Sequence, residues 1–545
     1  MRWVTDDRVM KAAEGVLDAK VRLRAAWNII RNGYELPAID PALDDSLGDD
    51  EGIVGGSRRK PGRGNNGHGT SGAHTGSNGA GGNGAAHAGS NGNGAAPAHA
   101  NGNGRAGNGA STLESVPPPS LDSVHPGYSS ELDSALRERT SLATIGGRDV
   151  FEKAYAFKAA DNTRKAGLYP FFRPLDYNDG PEAVLDGKRV TMFGSNNYLG
   201  LTTHPKVREA AMAAIERFGT SMTGSRLVNG SMKLHNEFEE KIADFFGKES
   251  ALVFTTGYQV NIATCSALLS NKKSVAVIDR NVHASLYDGV RLAQSAGCQM
   301  TRYKHNDAKS LDRALSRLDD AQGAFVMTDG VFSAEGEIAK LDEIVPVVKK
   351  HGARLFVDDA HALGVIGPGG RGTAHSFGLQ DDVDLMGGTF SKSMASIGGW
   401  LVGERKVLEY IQHFAPSFMF AASAAPPNVA AAMAAFDVMQ EEPWRMEKLR
   451  ENFTYMRTEL SRMGFELGKT QTAVIPIYIR QDLRTLMMWR DLLEEHGVYT
   501  NPFISPGVPP KHAMLRTSYM ATHERKHLDR GLEAFEKVGK KYGVI

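Results

Sequence analysis

Lys392 is set in DLMGGTFSKSMASIGGW, residues 384 to 400, directly after an apolar run and among glycines and hydroxyl residues. Gly387, Gly388, Gly398 and Gly399 make the stretch a poor helix former and allow the backbone to approach a ligand closely. An amine in such a place suits Schiff-base chemistry with an aldehyde cofactor, pyridoxal 5'-phosphate, with Thr389 and Ser391 as hydroxyl partners for its phosphate or imine. A solvated loop lysine fits this stretch, taken alone, equally well.

Other residues of matching chemistry follow short β-rich runs. Thr255-Thr256-Gly257-Tyr258 follows ALVF (251 to 254) and opens a helix, a hydroxyl-rich N-terminus able to cradle a phosphate, with Tyr258 free to pack on it or on a ring. His283 follows VAVI (275 to 278) in a turn before a helix, where it could stack on a planar ring or simply cap the helix. Ser333 lies in a glycine-bounded loop after GAFVMT (323 to 328). Asp358 follows RLFV (354 to 357) and could hold a pyridine nitrogen protonated, which makes the ring an electron sink; an acidic helix cap is the alternative. His361, one helical turn on, could bond the ring's phenolic oxygen.

Elements must bring these loops together. The runs above, with QMTRY (299 to 303), VDLM (383 to 386) and WLV (400 to 402), alternate with helix-length segments, which predicts an α/β domain around a largely parallel sheet with its ligand at the strands' carboxyl ends. Two helices precede them. One starts at Pro205 and stops at Gly219; the other runs from Ser231 to Phe246 before Gly247.

The chain has 545 residues, zero formal net charge and 41% hydrophobic content, so it can bury a core and gives no sign of a nucleic-acid partner. Cys265 and Cys298 alone provide neither a disulfide framework nor a metal site. With no signal-peptide pattern and no membrane-length apolar run, a cytoplasmic protein is expected, with possible peripheral contact at the inner membrane face. Residues 1–53 predict a small helical segment; Asp45-Ser46-Leu47 matches the carrier-protein loading tripeptide, but Gly48 and an acidic loop stand where that carrier's helix should begin. Residues 54–131, rich in Gly, Asn and Ala, predict a disordered linker, and its His68, His74, His87 and His99 match no metal-ligand spacing. The remainder divides into an N-terminal arm at 132–214, a large domain at 215–435 and a small C-terminal domain at 436–545.

The ordered set FGSNNYLGL, TTGYQVN, HASL, DGVFSAEG, VDDAHALGVIGPGGRG and GGTFSKS resembles the α-oxoamine synthase family of pyridoxal-phosphate acyltransferases, over about residues 165 to 540. The resemblance implies a fold-type I transferase, with a large mixed, mostly parallel sheet domain and a smaller α+β domain, working as a homodimer with active sites at the interface. It implies Lys392 as the Schiff-base lysine, Asp358 as the pyridinium partner, His283 as the stacking imidazole, and Gly257, Tyr258, Ser333, His361 and Thr389 as cofactor contacts. Asn196 and Arg516 fall on the amino-acid side, Arg516 meeting the carboxylate.

One departure stands out. Many members of the family it resembles carry a Ser-x-Ser pattern that reaches the phosphate across the dimer, whereas this chain reads Phe420-Ala421-Ala422-Ser423, which keeps Ser423 only. FFRPLDYN and TNPFISPGVPPKHAMLRTSYMATHE are most similar to members that condense L-serine with palmitoyl-CoA to 3-ketosphinganine. Glycine C-acetyltransferases and 8-amino-7-oxononanoate synthases share nearly all these residues, and an acyl carrier protein could replace CoA as the donor. A non-catalytic partner subunit is disfavoured by the presence of Lys392, Asp358 and His283; an aldolase or aminotransferase on this fold would need no thioester site.

Overall fold

A computed structural model of the chain describes residues 149–545. The expected N-terminal helical segment, the linker and the residues up to 148 lie outside the described residues.

After two short helices, Glu152–Tyr155 and Ala159–Lys165, come three short strands, β1 (Tyr177–Asp179), β2 (Glu182–Leu185) and β3 (Lys188–Met192), an antiparallel meander. Two amphipathic helices follow. Pro205–Phe218 begins on proline and ends at Gly219 with φ +77°; Lys233–Phe246 ends at Gly247 in the left-handed region. Both stop where only glycine adopts the exit conformation without strain.

The central sheet takes its seven strands from the predicted runs: β4 (Ser250–Phe254), β5 (Ser274–Asp279), β6 (Gln299–Tyr303), β7 (Gly323–Asp329), β8 (Arg354–Asp358), β9 (Leu385–Thr389) and β10 (Gly399–Gly403). Their spatial order is β4-β10-β9-β8-β7-β5-β6, with β10 alone running opposite to the other six. Both faces are covered. Val275 and Val277 of β5 join one apolar cluster, while Ala276 and Ile278 join the other, so the strand reads as a continuous apolar run.

One boundary differs from expectation. The run at 383 to 386 is displaced to β9 at Leu385–Thr389, because Gly387 and Gly388 belong to the strand. A Cβ on Gly387 would come within 3.0 Å of the Phe356 ring, and one on Gly388 within 3.1 Å of Trp400. Close approach, rather than a flexible loop, explains these glycines.

The C-terminal part is α+β. Strands β11 (Val474–Tyr478), β12 (Val498–Tyr499), β13 (Asn501–Phe503) and β14 (Met514–Ser518) follow one another, and the antiparallel sheet β11-β14-β13 packs with helices Trp444–Arg462, Asp482–Glu494 and Arg525–Lys541 around one core. Strand β12 pairs in parallel with β3, so residues from before the large sheet share this core: Phe193 and Tyr198 are buried with Tyr519 and Phe535. This join brings the two ends of the described chain to one site.

Candidate active site

Five strand ends deliver the predicted residues to one edge of the sheet. Asp358 ends β8 with 6% exposure; Oδ1 accepts from the Ala360 N–H at 3.0 Å, and Oδ2 from Asn261 Nδ2 at 2.6 Å. No helix begins there. Residues 359 to 364 form hydrogen-bonded turns, so Asp358 is not a helix cap, and His361 is presented by a turn instead of a helix. His361 is buried, and its Nδ1 lies 2.7 Å from the Tyr198 hydroxyl. Burial holds the imidazole well below its ordinary pKa, helped by Lys392 and Arg516, so it stays neutral.

His283 does cap a helix: its Nδ1 accepts from the Ser285 N–H at the start of Ala284–Gln294. Its backbone N–H donates to Asp329 Oδ1 at 3.2 Å. Desolvation lowers its pKa against the pull of Asp358, although part of the ring remains open to solvent. Asp329, at the end of β7 and paired in register with Asp358, is pushed well above the carboxylate range by burial and by that neighbouring charge.

Lys392 follows β9, and its amine makes no hydrogen bond or ion pair among the described residues. Burial brings its pKa down to about 8; Arg516 adds repulsion, and Asp358 and Asp329 act in the opposite direction. It lines a pocket of about 470 Å³ with Asn196, Asn197, Ser391, Ser396 and Asn428. Thr389 Oγ1 lies 2.7 Å from Ser391 Oγ and 2.9 Å from the Gly398 carbonyl. The helix Gly257–Leu269 starts against this hydroxyl pair, so closely that a Cβ on Gly257 would stand 2.5 Å from Thr389 Cβ.

Tyr258 turns outward at 44% exposure and donates its hydroxyl to Asp288, with its ring edge-on to His283 at 6.4 Å. Ser423 receives no side-chain hydrogen bond among the described residues; its N–H donates to the Gly224 carbonyl, while the Ala422 carbonyl accepts from Thr255 Oγ1 at 2.7 Å. The Ala421–Ser423 segment therefore lies beside the Thr255 loop of its own chain.

Arg516 is carried on β14 and is 3% exposed. Nε donates to the Ser333 carbonyl at 2.6 Å, Nη1 to Ser518 Oγ at 2.8 Å and Nη2 to Asn196 Oδ1 at 3.0 Å. All three acceptors are uncharged, which leaves a guanidinium without a carboxylate partner among the described residues. Such a fork is suited to a substrate carboxylate. Among the described residues, no group of three or more His, Cys, Asp or Glu could hold a metal ion, and no helix is long and apolar enough to cross a membrane.

Sequence reasoning missed Asn261, Ser285, Tyr198 and Asp329. All four stand inside the quoted motifs, and for Asn261 an amide within an otherwise apolar helix was the available signal.

The donor set is complementary to a phosphorylated pyridine aldehyde: a partnerless amine, a buried carboxylate on a strand end, and hydroxyls clustered at a helix N-terminus. Comparison with known proteins agrees. Residues 188–535 match the model of the aminotransferase class I and II family, and the chain belongs to that family; its fold is that of the fold-type I pyridoxal-phosphate enzymes. Within it, the chain is an α-oxoamine synthase-type, pyridoxal-phosphate-dependent acyltransferase. It is 42% identical to a serine palmitoyltransferase of Sphingobacterium spiritivorum over 71% of this chain and 96% of that one. It is 38% identical to an 8-amino-7-oxononanoate synthase of Thermoanaerobacter pseudethanolicus over 71% and 96% of the two chains. Among solved structures, a serine palmitoyltransferase described with PLP as an internal aldimine matches with a TM-score of 0.70 and 34% identity, covering 73% of this chain and all of the other.

Proposed function

We propose that the enzyme condenses L-serine with a long-chain acyl thioester, palmitoyl-CoA, to give 3-ketosphinganine, CoA and CO2, the first step of sphingolipid synthesis. The observation that carries this reading is the 42% identity, over nearly the whole length of the relative, to a protein named for that reaction. Bound pyridoxal phosphate supplies an electron sink for charge released at the amino acid's α-carbon.

The residues divide the remaining work. Lys392 would be the cofactor's attachment point and, with its pKa lowered to about 8 by burial, the base for the α-proton. Asp358 would keep the pyridine nitrogen protonated, His283 would cover the ring, and His361 would serve its phenolic oxygen. Gly257, Thr389, Ser391 and Ser423 would hold the phosphate, with Tyr258 and Ser333 as further cofactor contacts. Arg516 takes the substrate carboxylate while Asn196 holds the guanidinium in place. The reaction removes the α-proton, joins the α-carbon to the acyl carbonyl carbon as the carbon–sulfur bond breaks and the thiol leaves as CoA-SH, then breaks the bond to the carboxyl group, which leaves as CO2, and returns a proton to the α-carbon. Fixing the carboxylate determines which α-bond breaks, so Arg516 controls the reaction's course as well as its affinity.

A homodimer with the site at its interface, a cytoplasmic location and peripheral contact with the inner membrane complete the proposal. The 38% identity to an 8-amino-7-oxononanoate synthase favours, as a second reading, a short amino acid such as alanine with a different thioester. Titration of the holoenzyme with L-serine, glycine and L-alanine, followed by mass spectrometry of products from short and long acyl-CoA, separates the two. Serine should shift the cofactor absorbance and yield a C18 aminoketone with palmitoyl-CoA. A shift with alanine or glycine but none with serine overturns the assignment.

A further inference from the structure

Behind the site, a line of hydrogen bonds connects Asp358 to His283, and its chemistry assigns a proton. Asn261 is 2% exposed in the helix Gly257–Leu269, a position where an amide is a poor helix former and is otherwise unexplained. One of its carboxamide atoms lies 2.6 Å from Asp358 Oδ2 and 2.7 Å from Ser285 Oγ. An ionised carboxylate only accepts, so that atom is the nitrogen, and its second hydrogen goes to Ser285 Oγ.

Ser285 is fully buried, and its hydroxyl hydrogen has one further neighbour, His283 Nδ1 at 2.7 Å. The backbone N–H of Ser285, which can only donate, addresses the same Nδ1 at 3.3 Å. Two donors directed at Nδ1 leave the proton of the neutral ring on Nε2. Nε2 has no hydrogen-bond partner among the described residues.

We propose that Asn261 and Ser285 are positioning residues that fix His283 as its Nε2–H tautomer, so that the ring offers a hydrogen-bond donor to an acceptor oxygen of the bound substrates. Asp358 then has a second task. Its charge orients the Asn261 amide, the amide orients the Ser285 hydroxyl, and the hydroxyl orients the imidazole. The arrangement depends on register: Asp358 and the His283 loop leave strands separated by β7, and the helix carrying Asn261 packs across them.

The inference rests on the reading of His283 as the residue covering the cofactor, but its test needs neither acyl substrate nor product. Holoenzyme labelled with ¹⁵N-histidine, with the His283 signals assigned by their loss in His283→Asn, reports the tautomer directly. The parent should show a pyrrole-type Nε2 and a pyridine-type Nδ1. Ser285→Ala should move both signals toward a mixture of tautomers and lower kcat/KM roughly tenfold, the scale of one lost buried hydrogen bond, with melting temperature and bound cofactor retained. Ser285→Thr, which keeps the hydroxyl, should restore both. Asn261→Leu should reproduce the tautomer change with Ser285 intact. A proton on Nδ1 in the parent, or unchanged signals in Ser285→Ala, overturns the proposal. A wrong assignment of serine or palmitoyl-CoA would leave the tautomer result as it stands.

Discussion

Arg516 and Asn196, 320 positions apart in the chain, meet through a 3.0 Å hydrogen bond from Nη2 to Oδ1. The same oxygen lies 3.3 Å from the Tyr198 hydroxyl, which reaches His361 at 2.7 Å, so the Arg516 guanidinium and the His361 imidazole are held by one polar network. Backbone bonds reinforce it. The Ser518 N–H donates to the Phe193 carbonyl, and the Ala521 N–H to the Tyr198 carbonyl, each at 2.7 Å. Asn196→Ala removes an acceptor from a charged donor, worth about 1.5 kcal/mol or more. KM for the amino acid should rise roughly tenfold with kcat little changed, and initial-rate kinetics at saturating acyl-CoA check it.

Lys392 gives a pH-dependent stability. Its pKa falls from the ordinary 10.5 to about 8 on folding, mainly through burial. Below about 8 both folded and unfolded states hold the proton, and the folded state bears the full cost of a buried charge. Between 8 and 10.5 the unfolded chain binds more protons, so this group's contribution to stability rises with pH across that window. In cofactor-free protein, Lys392→Met should therefore stabilise the fold by about 3 kcal/mol near pH 7, and by much less at pH 10. Urea unfolding of both proteins at the two pH values measures the difference. The same variant should lose turnover by on the order of 10²-fold or more.

Gly257→Ala places a methyl group 2.5 Å from Thr389 Cβ and 3.2 Å from its Cα, where the backbone must give way. Overpacking of this kind costs about 1–3 kcal/mol. The expected result is a lower melting temperature together with weaker pyridoxal phosphate binding, since the helix N-terminus and the Thr389–Ser391 hydroxyl pair shift apart. Calorimetry with and without added cofactor separates the two effects.

Ala421→Ser introduces the first hydroxyl of the Ser-x-Ser pattern expected from the family resemblance. If this segment reaches the phosphate in the assembled enzyme, one added charge-assisted hydrogen bond should tighten cofactor binding by roughly tenfold. Equilibrium dialysis of pyridoxal phosphate from parent and variant provides the measurement, with Ala422→Ser as a control at the neighbouring exposed position.

Much of this protein was legible in its residues because the signals are local. Apolar runs gave the seven strands of the large sheet, Pro205, Gly219 and Gly247 marked helix ends, and the loops after those strands contained the amine, carboxylate and imidazoles that chemistry on a pyridine ring needs. What the residues could not show was which polar groups share a proton or a bond. Asn261 with Asp358, Ser285 with His283, and Arg516 with Asn196 and the Ser333 carbonyl are settled by parallel strand register and by the β3–β12 pairing that joins the two ends of the described chain. The glycines of β9 show the same division. Their type is local, but their reason is the Phe356 and Trp400 rings packed against them. Periodicity and turn chemistry are properties of neighbouring residues; hydrogen-bond partnership and steric contact depend on distances in space that only the folded chain defines.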